Sequence, residues 1–108
     1  MRGKRLVLRD VARRDVEAAL DHYVREAGSD VALGFIEALQ SAYRFIADHP
    51  SLGTPRHAHE LHLPGLRSRT LKGFPFLVFY IERADYIDVW RVLHSRRDIP
   101  LSLRDPGR

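Results

Sequence analysis

Two amphipathic helices with almost no chain between them constrain the fold more than any other feature of this sequence. Apolar residues recur at helical spacing over residues 16–27, with charged residues between them. The same spacing recurs over residues 31–46, until Pro50 ends the pattern. Gly28 suits the position just past a helix end. Because only about two residues join the helices, they are predicted to pack as an antiparallel hairpin.

β-Like runs lie on both sides of this hairpin. A short strand is predicted over residues 4–8, and the three prolines and two glycines of residues 50–65 predict a loop. Three further strands are predicted near residues 66–72, 76–82 and 86–94. The order β-α-α-β-β-β predicts one α+β domain, residues 1–108, with the N-terminal strand and helix hairpin packed on one face of a small, mostly antiparallel twisted sheet. Residues 99–108 are expected to form a flexible tail.

Composition narrows the function classes. The chain has no cysteine, which excludes a disulfide scaffold and a thiolate site. Neither a signal peptide nor a membrane span is expected. We therefore expect a cytoplasmic location. The formal net charge is +4, and sixteen of the eighteen cations are arginine. The excess lies in residues 55–108 and indicates either a solvated face or an anionic partner, a nucleic acid or an acidic protein.

The strand within "FPFLVFYIE" is apolar on both faces. Alternate side chains point to opposite sides of a sheet. One side carries Phe76, Val78 and Tyr80, and the other carries Leu77, Phe79 and Ile81. The helix hairpin can cover only one of these faces. The remaining apolar surface is expected to be covered either by the loop and tail of the same chain or by a partner.

Two polar clusters allow both a functional and a structural interpretation. His57, His59 and His62 could bind zinc or nickel, but no carboxylate or thiolate stands at a familiar ligand spacing. We therefore expect solvated loop histidines and no metal. Arg67 and Arg69 share one face of a predicted strand. They either block edge pairing or point cations at phosphates or partner carboxylates.

No phosphate-loop, dinucleotide, zinc-protease or serine-hydrolase motif occurs. Ribonuclease chemistry would need an acid, a base and a cation. His94 is the candidate acid. The candidate cations are Arg67, Arg69, Arg91 and Arg97, with Arg67 and Arg97 preferred. The candidate bases are Glu60, His62 and Tyr80, and no spacing places any of them near His94.

Four segments together resemble the RelE/ParE superfamily of bacterial toxins. They are the helix hairpin, the turn "PSLGTPR" at 50–56, the "LR" opening at Leu66 that leads to "FPFLVFYIE", and "VLHSRRD" at 92–98. The resemblance covers about residues 5–98. The P-x-x-G turn and the V-x-H-x-R-R-D ending are similar to the ParE branch. RelE-like ribonucleases usually carry lysines around the middle strands, whereas this chain has only Lys4 and Lys72.

The resemblance implies a type II toxin that arrests growth, as in plasmid stabilization systems, by binding DNA gyrase. It implies no enzymatic activity, no cofactor and no specific DNA binding by the toxin itself. It also implies a cognate acidic, DNA-binding antitoxin of ParD type. Two alternatives remain: a ribosome-dependent messenger-RNA endonuclease of RelE type, and a non-toxic member that acts only in a DNA-bound autorepressor complex.

Site residues follow from the resemblance and from the hypothesis that a partner covers the remaining apolar face of the sheet. The target-binding set is Arg91, His94, Arg96, Arg97 and Asp98. The antitoxin-binding set is Phe76, Val78, Tyr80, Arg67 and Arg69. A structural alternative remains for the first set, in which Asp98 pairs with Arg96 or Arg97 and His94 caps the sheet through a hydrogen bond.

Overall fold

The structure is a computed structural model that describes residues 3–97 and 99–104. Its elements, in chain order, are β1 (Leu6–Leu8), α1 (Asp10–Ala27), α2 (Ser29–Asp48), a 3-10 turn (Pro50–Leu52), α3 (Arg56–Glu60), β2 (Leu66–Thr70), β3 (Phe76–Glu82), β4 (Ile87–His94) and α4 (Ile99–Arg104). The α+β prediction and the order of the long elements are confirmed. Within the predicted loop of residues 50–65, the 3-10 turn and α3 are short helical pieces.

The four strands form one sheet in the order β1-β4-β3-β2. β1 pairs parallel with β4, and the other two pairings are antiparallel. The β3–β4 register shifts by one residue: Phe79 lies opposite Arg91, whereas Tyr80 lies opposite Val89. This bulge inserts one extra residue in β4. As a result Val89 and Val92, three residues apart, both pack into the core under the helices.

The helix hairpin covers one face of the sheet. Its turn is at Gly28, whose φ of 94° lies in the left-handed region that glycine adopts without strain. Apolar residues of α2, above all Phe35, Leu39 and Ile46, pack against Val78 and other residues of the sheet. Neither helix, nor any other described helix, is both long enough and apolar enough to cross a bilayer.

The chain itself covers the opposite face. The cluster there comprises Leu66, Phe79, Ile81, Trp90, Leu93, Ile99 and Leu103, with Ala58, Leu61 and Leu63 around it. Ile99 and Leu103 belong to a segment expected to be a flexible tail, but they lie in a helix. Because they are four residues apart, they share one side of α4 and bury together on the sheet. The rest of the predicted tail, residues 105–108, lies outside the described residues.

Among the described glycines, Gly53 leaves the least room for an added Cβ. The nearby Tyr80 Oη donates a hydrogen bond to the Pro50 carbonyl oxygen at 2.7 Å. A Cβ added at Gly53 would overlap Tyr80 Oη and lie 2.9 Å from Tyr80 Cζ. In α2, by contrast, a Cβ on Gly34 would meet nothing nearer than Phe74 Cζ, at 3.6 Å.

We therefore expect Gly53→Ala to lower the free energy of unfolding by about 1–3 kcal/mol through overpacking. The matched control is Gly34→Ala, which should raise it by about 0.5–1 kcal/mol because alanine is the better helix former. Urea denaturation followed by circular dichroism measures both. Equal stability of the two variants would contradict this account of the turn.

Candidate functional site

The C-terminal end of β4 forms a tight turn built around His94. The His94 ring stands edge-on to Phe76, with ring centroids 5.2 Å apart. Its Nδ1 accepts a hydrogen bond from the Arg96 N–H at 3.1 Å. The Ser95 N–H donates to the Pro75 carbonyl at 2.8 Å, and the Arg97 N–H donates to the His94 carbonyl at 3.0 Å. His94 thus caps the sheet, as in the structural alternative, and holds the following backbone in place.

Arg96 and Arg97 are exposed on this turn. No carboxylate within residues 3–97 and 99–104 forms an ion pair with either guanidinium. Asp98, another member of the predicted target-binding set, lies outside the described residues. The turn therefore presents two cations whose hydrogen-bond donors are available to an anionic surface.

Arg91, also in the predicted target-binding set, does not lie beside them on the exposed turn. Its Nε and Nη2 each donate to Asp15 at 2.8 Å, and its Nη1 donates to the Ser102 carbonyl at 3.0 Å. The side chain is 8% exposed. The hydrogen bonds to Asp15 raise the pKa of Arg91. Asp15 also accepts the Val92 N–H at 3.0 Å. This cluster joins α1, β4 and α4, so Arg91 has a structural role.

The apolar part of the predicted antitoxin-binding set is buried within the chain. Phe76, Val78 and Tyr80 are at most 8% exposed because the helix hairpin packs on them. Arg67 and Arg69, by contrast, lie on β2 at the edge of the sheet and share one face, as predicted. They remain the candidates for an antitoxin contact.

Both edge arginines are held in fixed positions. Arg67 Nη1 donates to the Gly53 carbonyl at 2.8 Å. The Arg69 guanidinium carbon lies 3.6 Å from the centroid of the Phe45 ring on α2, a cation–π contact. The first contact uses a hydrogen-bond donor of Arg67, whereas the second leaves the N–H groups of Arg69 free for other partners.

Of the ribonuclease candidates, His94 and Arg97 lie on the same turn, but Arg67 and the candidate bases lie elsewhere. Arg67 lies opposite Tyr80 on β3, and His94 lies opposite Phe76. These partners are four residues apart, which places Arg67 and His94 about 13 Å apart along the strands and about 10 Å across them. Burial raises the pKa of Tyr80, whose hydroxyl already donates to a carbonyl, so Tyr80 is a poor base.

The other two candidate bases, Glu60 and His62, are exposed at and beyond the end of α3. This helix packs on the sheet face opposite Phe76, against which His94 rests. Of the loop histidines, His57 contacts the Phe79 ring at 5.5 Å between centroids. No group of three potential ligand side chains forms in the described part of the chain. That the loop binds no metal stays a prediction.

Sequence reasoning missed a polar centre at Asp88. This buried carboxylate accepts hydrogen bonds from Arg9 Nε and Nη2 at 3.1 and 3.0 Å. Arg83 donates two more, at 3.2 and 2.9 Å, and Trp90 Nε1 another at 3.2 Å. Arg9 also lies 4.3 Å from the Trp90 ring centroid. The available signal was an aspartate inside the apolar run "YIDVWRVL".

Comparisons with known proteins agree with this architecture. The family model described as "ParE toxin of type II toxin-antitoxin system, parDE" matches residues 6–99. No curated protein matches the chain. A solved structure titled "Chromosomal ParDE TA system from P. aeruginosa" superposes with a TM-score of 0.69. It is 24% identical, and the match covers 84% of this chain and 95% of that one. At this identity the likeness concerns the fold.

The hydrogen bonds to Asp88 should make the stability of the fold depend on pH. Burial alone would raise the pKa of Asp88, but hydrogen bonds from Arg9 and Arg83 outweigh it and hold the pKa below its usual value. A carboxyl group whose folded pKa is depressed stabilises the fold above its unfolded pKa of about 3.9. That contribution is lost as the pH falls through the folded pKa.

We expect Asp88→Asn to lower the free energy of unfolding at pH 7 by about 1–3 kcal/mol, because charge-assisted hydrogen bonds are lost. The difference from the unmodified chain should shrink as the pH falls below about 4. Urea denaturation across this pH range measures it. Asp21→Asn, which breaks an exposed pair with Arg25, is the control and should cost at most about 0.5 kcal/mol. A pH-independent loss in Asp88→Asn would contradict the electrostatic explanation.

Proposed function

The chain belongs to the ParE toxin family of type II toxin–antitoxin systems, and we propose that it arrests growth by binding DNA gyrase. The observation that carries the proposal is the turn after β4. Arg96 and Arg97 are exposed there, unpaired with any described carboxylate, on backbone that His94 and Pro75 hold in place. Preorganised cations of this kind suit recognition of an acidic surface on a partner protein.

The separation of the candidate acid, His94, from the candidate bases supports binding over RNA cleavage. General acid–base catalysis requires acid and base to reach the same substrate atoms within hydrogen-bond distance. His94, Arg67 and Tyr80 do not share such a centre, and Tyr80 is buried. A binding function requires only that the turn be exposed and correctly charged.

An acidic, DNA-binding antitoxin of ParD type is part of the proposal. The net charge of +4 favours an acidic partner. Arg69 and Lys72, at the β2 edge and just beyond it, supply cations away from the β4 turn. An antitoxin bound there would leave its own DNA-binding part free, so the complex rather than the toxin would contact DNA specifically.

The first test separates the proposed target from RNA. The chain is induced alone in cells that carry a DNA-damage reporter, and messenger-RNA integrity is followed over the same minutes. We expect DNA breakage and reporter induction before any loss of messenger RNA. In a purified assay the chain should inhibit supercoiling by gyrase. Messenger cleavage without DNA damage would contradict the proposal, and an absence of growth arrest would favour the non-toxic repressor alternative.

A second test distinguishes binding from catalysis at the β4 turn. His94→Gln should retain inhibition, since an amide can replace the hydrogen bond that the imidazole accepts. Arg96→Glu and Arg97→Glu should each raise the concentration that halves gyrase supercoiling by about tenfold or more, because charge reversal at a contact introduces repulsion.

The matched control is Arg14→Glu, an equal charge reversal on the exposed side of α1, which should change that concentration less than about twofold. Circular dichroism checks that each variant is folded. Loss of activity in His94→Gln while both β4-turn reversals stay active would overturn the gyrase-binding assignment and favour a nuclease.

A further inference from the structure

A groove between α2 and the edge strand β2 has a positively charged rim and a small, mostly apolar floor. It encloses about 120 Å³. It is lined on the α2 side, here called the floor, by Ala38, Ser41, Ala42 and Phe45, and on the β2 side, here called the rim, by Arg69, Thr70 and Lys72. No described acidic residue lines it. The floor accepts a small apolar side chain, and the rim attracts a carboxylate or a phosphate.

Arg69 is preorganised for such a ligand. Its guanidinium carbon lies 3.6 Å from the centroid of the Phe45 ring, and the Phe45 and His49 ring centroids are 5.1 Å apart. No hydrogen bond ties the Arg69 guanidinium to the described residues. Cation–π stacking therefore fixes the group while its N–H donors stay available. Fixing it in advance reduces the entropy lost on binding.

The β2 edge offers a peptide unit next to these cations. Ser68 uses its outward N–H and C=O in two 3.0 Å hydrogen bonds with Thr54. Along an antiparallel edge strand, every second residue points its backbone N–H and C=O away from the sheet. Thr70 lies two residues after Ser68 on β2, so its N–H and C=O also point outward. Nothing in the described part of the chain bonds to those two groups. The outward backbone groups of the β2 edge are therefore hydrogen-bonded at Ser68 and available to a partner at Thr70.

We infer that this groove binds an extended acidic peptide segment. The segment would exchange backbone hydrogen bonds with Thr70, place a carboxylate on Arg69 and Lys72, and insert a small apolar side chain over the floor. A DNA backbone fits less well, because its phosphates and deoxyriboses have no hydrogen-bond donor for the Thr70 carbonyl. Assigning the segment to the antitoxin rests on the proposed function; the chemistry of the groove does not.

Fluorescence anisotropy with two synthetic peptides tests this inference. One labelled peptide of about eight residues alternates glutamate with valine, and its partner has lysine in place of glutamate. The acidic peptide should bind the full chain and the basic one should not. Arg69→Glu should weaken binding by about tenfold or more, whereas the equal charge reversal Arg14→Glu should change it less than about twofold.

A second pair of variants tests the backbone contact. Thr70→Pro removes the outward N–H, whereas Thr70→Ala removes only the side chain. We expect Thr70→Pro to weaken acidic-peptide binding by about fivefold to tenfold and Thr70→Ala to leave it nearly unchanged. Urea denaturation of each variant checks the fold. If Thr70→Pro is unfolded, the Arg69→Glu and Arg14→Glu comparison still decides the charge contact.

Three results would overturn the inference: no binding of the acidic peptide, equal weakening in Arg69→Glu and Arg14→Glu, or binding of a labelled oligothymidylate in preference to the peptide. The assay uses purified chain and contains no gyrase. Failure at the groove therefore leaves the gyrase test unaffected, and failure of the gyrase test leaves the groove result unaffected.

Discussion

The architecture depends on β3 being apolar on both faces, because both faces of such a strand must be removed from water. The helix hairpin covers the face with Val78 and Tyr80, and α3 and α4 cover the face with Phe79 and Ile81. Polar surfaces that could bind a partner are consequently found at the edges of the sheet and not on its faces. The two candidate surfaces lie there, one at the end of β4 and the other along the edge of β2.

Two groups of arginines have different consequences for function. Arg9 and Arg83 neutralise the buried Asp88, and Arg91 pairs with Asp15. Removing one partner of such a pair leaves a charge with little solvent around it, which is costly, so these arginines are held in place by the fold. Arg96 and Arg97 have no such partner among the described residues. Part of the positive charge is therefore committed to the fold and is not open to a macromolecular partner.

A shared fold supports different chemistries, and the placement of side chains on it separates them. A nuclease needs an acid, a base and a cation around one phosphate. His94 and Arg97 share the turn after β4, but the candidate base Tyr80 stands at a different position along the sheet. A binding protein needs a firm exposed surface, and the hydrogen bond from the Arg96 N–H to His94 helps to hold one. The same histidine can thus be important for shape without transferring a proton.

The sequence by itself determined the helix hairpin, the strands, the two-sided apolar pattern of β3 and the placement of Arg67 and Arg69 on one strand face. These features follow from the spacing of apolar and polar residues, which can be recognised within a short stretch of sequence. Only the tertiary structure decided that the chain covers its own second face and that Arg91 is buried. The partner of Arg91 is Asp15, 76 residues away, and Arg9 lies 79 residues from Asp88. No periodicity encodes such contacts, because they arise when packing brings distant segments together.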